Sequence, residues 1–227
     1  MSEASAAMNS PRIWWIGARP RTLPAAIAPV LIGSAYAGAD FSALDALASL
    51  IVALSLQIAV NYANDYSDGI RGTDENRVGP TRLVASGLVS AASVKRAAMI
   101  AFAAAILAGG FLALRSSLAL LAIGALAIIA AWRYTGGKRP YGYRGLGEVA
   151  VFIFFGLVAT MGTFYVQSER VDFTIFLLGV AMGSIACSIL ILNNIRDLEN
   201  DANSGKRTLS VRIGRRNSER LYSLLIA

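Results

Sequence analysis

Two polar clusters with matching spacing interrupt an otherwise apolar sequence. The clusters are NYANDYSDGIRGTD, residues 61–74, and NNIRDLEND, residues 193–201. Each contains an asparagine followed four residues later by an aspartate, first at Asn61 and Asp65 and again at Asn193 and Asp197. This correspondence indicates a weak internal repeat, in which two polar helix faces lie opposite each other across a bundle.

On a helix, with about 100° between successive residues, the oxygen-bearing side chains of each cluster share one face. The two faces comprise Asn61, Asn64, Asp65 and Asp68, and Asn193, Asn194, Asp197 and Asp201. Carboxylates that converge where a helix leaves a bilayer repel one another unless a cation lies between them. Because the chain has no histidine and a single cysteine, Cys187, any metal here must have oxygen ligands, which favours Mg²⁺. The alternative is that both clusters are solvated helix ends.

Basic residues that could bind phosphate follow both clusters. They are Arg71, Arg77 and Arg82 after the first, and Lys206 and Arg207 after the second. Guanidinium and ammonium groups bind phosphate oxygens, and Mg²⁺ commonly completes its coordination shell with substrate phosphates. The two clusters therefore predict chemistry on a phosphorylated substrate with Mg²⁺.

Transmembrane helices must position these clusters. The chain of 227 residues is 56% hydrophobic and 15% charged, with a mean hydropathy of +0.55, which is too apolar for an ordinary soluble domain. A span needs about 20 mostly apolar residues. We predict six spans, at residues 22–39, 42–63, 93–114, 116–134, 147–167 and 172–195, and a seventh apolar stretch that begins at ERLYSLLIA. The predicted fold is an all-α, polytopic transmembrane helix bundle, with one domain over residues 1–227 that is incomplete at its C-terminus.

The basic residues predict the orientation of the bundle. Of the 21 Lys and Arg residues, only Arg115 and Arg170 fall on one side of the predicted spans, and lysine and arginine are retained on the cytoplasmic side of short spans. We therefore expect a multi-pass protein of the inner (plasma) membrane with both aspartate clusters facing the cytoplasm. The formal charge of +7 follows from this topology, so nucleic acid is not needed as a partner.

Several segments resemble the UbiA superfamily of intramembrane prenyltransferases. NDYSD with TRLVASG, and RDLENDANSGKRTL, are similar to its two signature regions. ARPRTLPAAIAPVLIGSA and YTGGKRPYGYRGLGEVAVFIFFGLVATMGTFYV resemble the menaquinone-pathway branch, so the likeness covers nearly the whole chain from about residue 14. Gly72 and Gly205 stand where relatives have a further carboxylate, and Asp74 is a candidate replacement for the first of these. Family members have nine transmembrane helices, which implies that further helices would follow this chain.

The resemblance implies transfer of a polyprenyl group from polyprenyl diphosphate to 1,4-dihydroxy-2-naphthoate, with loss of CO₂ and diphosphate, to give demethylmenaquinone. It also implies Mg²⁺, with Mn²⁺ as an alternative ion, and the lipid bilayer as surroundings. The expected metal ligands are Asn61, Asn64, Asp65, Asp68, Asn193, Asp197 and Asp201. The catalytic carboxylates among them are Asp65, Asp68, Asp197 and Asp201.

The loop WRYTGGKRPYGYRGLGE, residues 132–148, is expected to cap this site because glycine and proline break the helix and basic residues alternate with tyrosines. The expected substrate-binding residues are Arg19, Arg21, Arg71, Arg82, Tyr134, Lys138, Arg139, Arg144, Lys206 and Arg207. An interfacial belt of tyrosine and arginine is the alternative for the loop. Glu148 is either a helix-capping or a catalytic carboxylate.

Other functions remain open at this point. Within the family, the acceptor could be 4-hydroxybenzoate or a sugar phosphate. A divalent-cation transporter could also place carboxylates in a bundle, although these lie at helix ends beside phosphate-binding residues. A membrane alcohol phosphotransferase is disfavoured because its Asp-Gly-x-x-Ala-Arg pattern is absent.

Overall fold

The protein is a bundle of helices of unequal length. The structure, a computed structural model, describes residues 10–73 and 79–227, and these residues contain no β-strand. The helices are α1 Pro11–Ala18, α2 Pro24–Ala37, α3 Ala43–Gly69, α4 Ala91–Arg115, α5 Ala119–Arg133, α6 Gly147–Ser168, α7 Phe173–Arg196, α8 Leu198–Asn203, α9 Leu209–Ile213 and α10 Arg215–Ile226. The all-α prediction is confirmed for this part of the chain.

Four of these helices, α3, α4, α6 and α7, are long and apolar enough to cross a membrane. A fifth crossing is formed if α1 and α2, which meet at an angle of 57° with their adjoining 3₁₀ turns, count as one bent span. The count of six is not confirmed, because α5 has 15 residues and extends about 22 Å, less than the roughly 30 Å of a hydrocarbon core. The predicted seventh stretch corresponds to α10, which begins with the charged sequence RRNSER.

The first half of the bundle is organised around α3 and α4, which pack along most of their lengths. Small residues such as Ala59, Ala63 and Ala98 are fully buried at this contact and allow the two backbones to approach closely. The segment after the first cluster joins the same core, because the Leu83 side chain is fully buried there.

The second half of the bundle pairs α6 with α7, and α2 with the end of α6. Residues Phe152–Val158 of α6 form a π-helical segment, and Gly156 lies directly against Gly183 of α7 there. A Cβ atom on Gly183 would lie 2.8 Å from the Phe152 ring, so a side chain would separate the helices.

Two ion pairs lie at the end of the bundle opposite the aspartate clusters. Arg115 Nε contacts Asp45 Oδ1 at 2.9 Å, and Arg170 contacts Asp40 at 3.0 Å. These are the two arginines that the sequence assigns to the other side of the membrane. Asp45 lies in the first turn of α3 and Asp68 in its last turn, so the Arg115–Asp45 ion pair and the aspartate clusters lie at opposite ends of this helix.

Candidate active site at the aspartate clusters

Asp68 is the centre of the site and is almost completely buried, with 2% of its surface exposed. Its Oδ1 accepts a hydrogen bond from the Tyr143 hydroxyl at 2.6 Å, and its Oδ2 accepts one from Lys206 Nζ at 3.0 Å. Arg82 Nη2 lies 3.8 Å from the same Oδ2. A buried carboxylate is thus surrounded by two positive charges and a phenol, which offsets the cost of its burial.

Lys206 links the two aspartate clusters. Its ammonium group lies 3.0 Å from Asp68 and 3.9 Å from Asp201 Oδ1, and it lies over the Tyr143 ring. Two further hydrogen bonds hold the same junction together, from Asn200 to the Thr73 carbonyl and from the Arg207 backbone N–H to the Tyr143 carbonyl. The structure therefore brings both clusters together, with the loop that contains Tyr143 between them.

Asp65 has a different arrangement from Asp68. Its two carboxylate oxygens accept backbone hydrogen bonds from Leu83 at 2.8 Å and from Val84 at 3.0 Å. A Cβ atom on Gly17 would lie 2.5 Å from the Leu83 side chain, so the absence of a side chain at Gly17 makes room for this segment. Asp65 therefore anchors the segment that carries Arg82 towards Asp68. Its role as a metal ligand stays a prediction.

The two asparagines of the first cluster join α3 to neighbouring segments. Asn61 Nδ2 donates to the Ala18 carbonyl at 2.8 Å and to Thr22 at 3.1 Å, which holds the turn containing Arg19. Asn64 Oδ1 accepts a hydrogen bond from Thr135 at 2.8 Å, which attaches the loop after α5. Both side chains are buried, and neither contacts Asp68 in these bonds.

The second cluster does not form the single helical face that the sequence predicts. α7 ends at Arg196, and Asp197 adopts a non-helical conformation before α8 begins. Arg196 binds both oxygens of Asp197, at 2.8 and 2.9 Å, and also binds Asn193 Oδ1 at 2.9 Å. Asn193 and Asp197 thus contact an arginine that sequence analysis did not include in the site. Asp201 of this cluster approaches Asp68 through Lys206.

The loop between α5 and α6 covers the clusters as expected, but through Tyr143. Arg71 donates to the carbonyls of Thr135 and Gly137, and its guanidinium lies 5.5 Å from the centre of the Tyr143 ring. Burial raises the pKa of Tyr143, and the neighbouring Asp68 carboxylate raises it further. The phenol therefore keeps its proton at neutral pH and remains a hydrogen-bond donor to Asp68.

The structure does not bring every predicted substrate-binding residue to the clusters. Five side chains are exposed at the surface: Arg21, Lys138, Arg139, Arg144 and Arg207. Arg19 is partly buried and close enough to Asp65 to interact with it electrostatically. Tyr134 packs edge-on against Tyr141, with their ring centres 5.6 Å apart. Asp74 and Arg77 lie outside the described residues.

Sequence analysis missed Tyr143 as a partner of Asp68, and it missed the contact between Glu148 and Asn194. Asn194 Nδ2 donates to Glu148 Oε1 at 2.8 Å. One sequence feature could have indicated a site role for Tyr143, namely its position among basic residues in a loop rich in glycine and proline. No comparable signal exists for Glu148 and Asn194, since they are 46 residues apart and meet only through the packing of α6 on α7.

The residues present fit Mg²⁺ in their chemistry. Asp68 and Asp201 carry carboxylate oxygens on two segments, and both lie within 3.9 Å of one positive charge, the Lys206 ammonium group. Within residues 10–73 and 79–227, no three acidic side chains are grouped closely enough to hold a metal by themselves. Such a pair suits Mg²⁺, which keeps waters and takes phosphate oxygens as further ligands.

Comparisons with known proteins identify the family and the fold. Residues 26–227 match the UbiA prenyltransferase family. The chain is 54% identical to a 1,4-dihydroxy-2-naphthoate octaprenyltransferase of Mycobacterium tuberculosis, covering 94% of this chain and 74% of the relative. It is 40% identical to the Escherichia coli protein of the same name, covering 94% and 72%. A UbiA homolog from Archaeoglobus fulgidus, solved with GPP and Mg²⁺, shares the fold with a TM-score of 0.73 at 15% identity, covering 94% and 73%.

Proposed function

The chain belongs to the UbiA prenyltransferase family, and we propose that it transfers a polyprenyl group from polyprenyl diphosphate to 1,4-dihydroxy-2-naphthoate. CO₂ and diphosphate are released. The product is demethylmenaquinone in its quinol form, because no oxidant takes part. Five relatives bear the name of this activity, at identities from 31% to 54% over most of the chain.

The observation that carries this proposal is the buried junction at Asp68. Arg82 and Lys206 bring two positive charges to it, and Asp201 adds a second carboxylate. Carboxylates for Mg²⁺ and basic groups for phosphate are the two requirements for holding a diphosphate. The junction lies at one end of apolar helices, so an apolar tail can extend into the bundle or the bilayer while the diphosphate stays at the polar end.

The residues of the chain have separate tasks in this reaction. Lys206 and Arg82 bind the diphosphate and stabilise the negative charge that develops when the C1–O bond breaks. Tyr143 holds Asp68 in place by its hydrogen bond, and the loop above it excludes water from the allylic cation. Asp68 and Asp201 would hold Mg²⁺, which would supply further positive charge for the diphosphate leaving group.

We place the site at the cytoplasmic face of an inner (plasma) membrane, on the positive-inside pattern. We also propose that α5 crosses the membrane despite its length. Arg115, at the end of α4, binds Asp45 at one end of α3, whereas Thr135, just after α5, binds Asn64 near the other end. The short helix α5 therefore connects the two ends of the bundle. With the bent pair α1 and α2, this gives six crossings within one prenyltransferase domain.

Transfer to another acceptor, 4-hydroxybenzoate or a sugar phosphate, is the alternative within the family. The deciding experiment incubates the protein in membranes with labelled prenyl diphosphate and each acceptor in turn, with Mg²⁺, with Mn²⁺ or with excess chelator. We expect a lipid-soluble product with 1,4-dihydroxy-2-naphthoate that disappears with chelator. Preferential labelling of another acceptor would overturn the acceptor assignment, and full turnover in chelator would overturn the role of the metal.

A further inference from the structure

A second buried carboxylate lies near the site but outside the aspartate clusters. Glu148, in the first turn of α6, has 7% of its surface exposed, and its Oε1 accepts a hydrogen bond from Asn194 at 2.8 Å. In the part of the chain that the structure describes, Lys and Arg side chains form no ion pair with Glu148. An ionisable group buried in a membrane bundle without an opposite charge is costly, and such groups are commonly functional.

Tyr134 places Glu148 beside the active site. A Cβ atom on Gly147 would lie 3.2 Å from the Tyr134 hydroxyl, so this tyrosine packs against the first turn of α6. Burial raises the pKa of Tyr134, and the carboxylates of Glu148, Asp68 and Asp201 contribute in the same direction. The Tyr134 phenol is thus within electrostatic range of Glu148 and of both aspartate clusters.

Within residues 10–73 and 79–227, the side chains that hydrogen-bond to Glu148 carry no charge. From α7, Asn194 donates to its side chain, and the Cys187 thiol donates to its backbone carbonyl at 3.1 Å. From the loop, Tyr134 contributes a phenol that stays protonated. Because the Asn194 amide holds one oxygen of Glu148 in a fixed direction, the side chain is oriented by a group that carries no charge.

We propose that Glu148 accepts the proton of a ring hydroxyl of the aromatic acceptor, and that Asn194 is the positioning residue that orients its carboxylate. This inference rests on the proposed function. It assigns to the chain the base that the aspartate clusters lack, since Asp68 and Asp201 are engaged with Lys206 and serve the diphosphate.

The reaction balances with this assignment. As the O–H bond breaks, its proton moves to Glu148 and its electron pair enters the ring. The C1–O bond breaks and the diphosphate leaves with its electron pair, and the ring carbon that bears the carboxylate forms a bond to C1 of the resulting allylic cation. The bond to the carboxylate then breaks to release CO₂, its electron pair restores the aromatic ring, and the proton returns from Glu148 to the oxygen.

The test is the pH profile of Glu148→Gln, which keeps the shape of the side chain and removes the base. General acid–base catalysis contributes a rate factor of about 10² to 10⁴, so we expect kcat at neutral pH to decrease by a factor of this size. The KM for prenyl diphosphate should stay unchanged. The residual rate should rise about tenfold per pH unit as hydroxide replaces the base. Glu199→Gln, an exposed glutamate on α8, is the matched control and should keep the wild-type profile.

The variant Glu148→Asp keeps a carboxylate base. It should retain the acidic limb of the wild-type pH profile at a lower kcat. The Asp variant therefore tests the proposal even if the Gln variant does not fold. A wild-type kcat and profile in Glu148→Gln, or an Asp variant with a flat profile, would overturn the proposal. If the wild-type protein itself fails to prenylate 1,4-dihydroxy-2-naphthoate, the proposed function fails instead, so the two failures are distinguishable.

Discussion

The variant Lys206→Met should make the junction between the two clusters depend on added metal. In the wild-type protein the Lys206 ammonium group supplies the positive charge there. The ammonium group lies 3.0 Å from Asp68 Oδ2, and 7% of Lys206 and 2% of Asp68 are exposed. Methionine fills most of the same volume without the charge, so the substitution isolates the electrostatic contribution.

The expected loss of stability follows from this geometry. Removing one partner of a buried ion pair costs about 3–5 kcal/mol because the other charge stays buried. Arg82 at 3.8 Å and the Tyr143 hydroxyl at 2.6 Å still stabilise Asp68, which places the expected cost near the lower end, about 3 kcal/mol. At roughly 2–4 °C per kcal/mol for a chain of this length, Tm should fall by about 6–12 °C in metal-free buffer.

Added Mg²⁺ should reverse much of this loss. In the wild-type protein a metal between Asp68 and Asp201 competes with the Lys206 ammonium group, and in the variant it does not. We expect the Mg²⁺ concentration at half-maximal thermal stabilisation to fall by about tenfold, which corresponds to about 1.4 kcal/mol. Prenyl diphosphate should bind more weakly to the variant, because one phosphate-binding charge has been removed.

The assay is a thermal melt of detergent-solubilised protein over a Mg²⁺ titration without substrate. Lys95→Met is the control, since Lys95 is an exposed lysine near the same end of the bundle and lies over the Tyr66 ring rather than beside a carboxylate. The reasoning is refuted if Mg²⁺ stabilises the Lys206 variant no more than the wild type and the Lys95 control.

Three further outcomes follow from the structure. Asp65→Asn should lose one of the two backbone hydrogen bonds and lower the free energy of unfolding by about 1–3 kcal/mol. Because Arg82 then shifts, the KM for prenyl diphosphate should rise, and an unchanged KM in steady-state kinetics would contradict this. Burial raises the pKa of Tyr141 to about 12 in the folded protein, so its contribution to stability is full below a pH of about 10 and is lost as pH rises through about 12. Ultraviolet titration of tyrosinate should lose one ionisation near pH 12 in Tyr141→Phe, and an unchanged titration curve would contradict this. A cysteine at the exposed position Ala202 should react with an impermeant thiol reagent from the cytoplasmic side, and a cysteine at the exposed position Ala119 from the opposite side. Labelling of both cysteines from one side would contradict the topology.

Much of the architecture can be predicted from hydropathy, because apolar stretches long enough to span a bilayer correspond to the helices α3, α4, α6 and α7. One exception is α5, where the apolar stretch from 116 to 134 includes residues that form the turn after α4. Hydropathy detects the composition of a segment and not the point at which its backbone leaves the helix, so the predicted span was longer than the helix.

The site could be predicted in part. Helical periodicity correctly brings Asp65 and Asp68 to one end of α3, but it does not distinguish an aspartate that binds backbone N–H groups from one that binds side-chain cations. That difference arises because the turn after residue 79 returns to α3 and places Leu83 above Asp65. Periodicity also fails at Asp197, where the helix stops, and it cannot detect Tyr143, whose partner Asp68 is 75 residues away.

The central claim is the transfer of a prenyl group with replacement of the acceptor's carboxylate. Its most direct test uses 1,4-dihydroxy-2-naphthoate labelled with ¹⁴C in the carboxylate and prenyl diphosphate labelled with ³H, with the protein in membranes and Mg²⁺ present. We expect one ¹⁴CO₂ released for each ³H-labelled naphthoquinol formed, with both signals lost in Asp68→Asn. A prenylated product that retains the ¹⁴C label, or CO₂ release without prenyl transfer, would contradict the account.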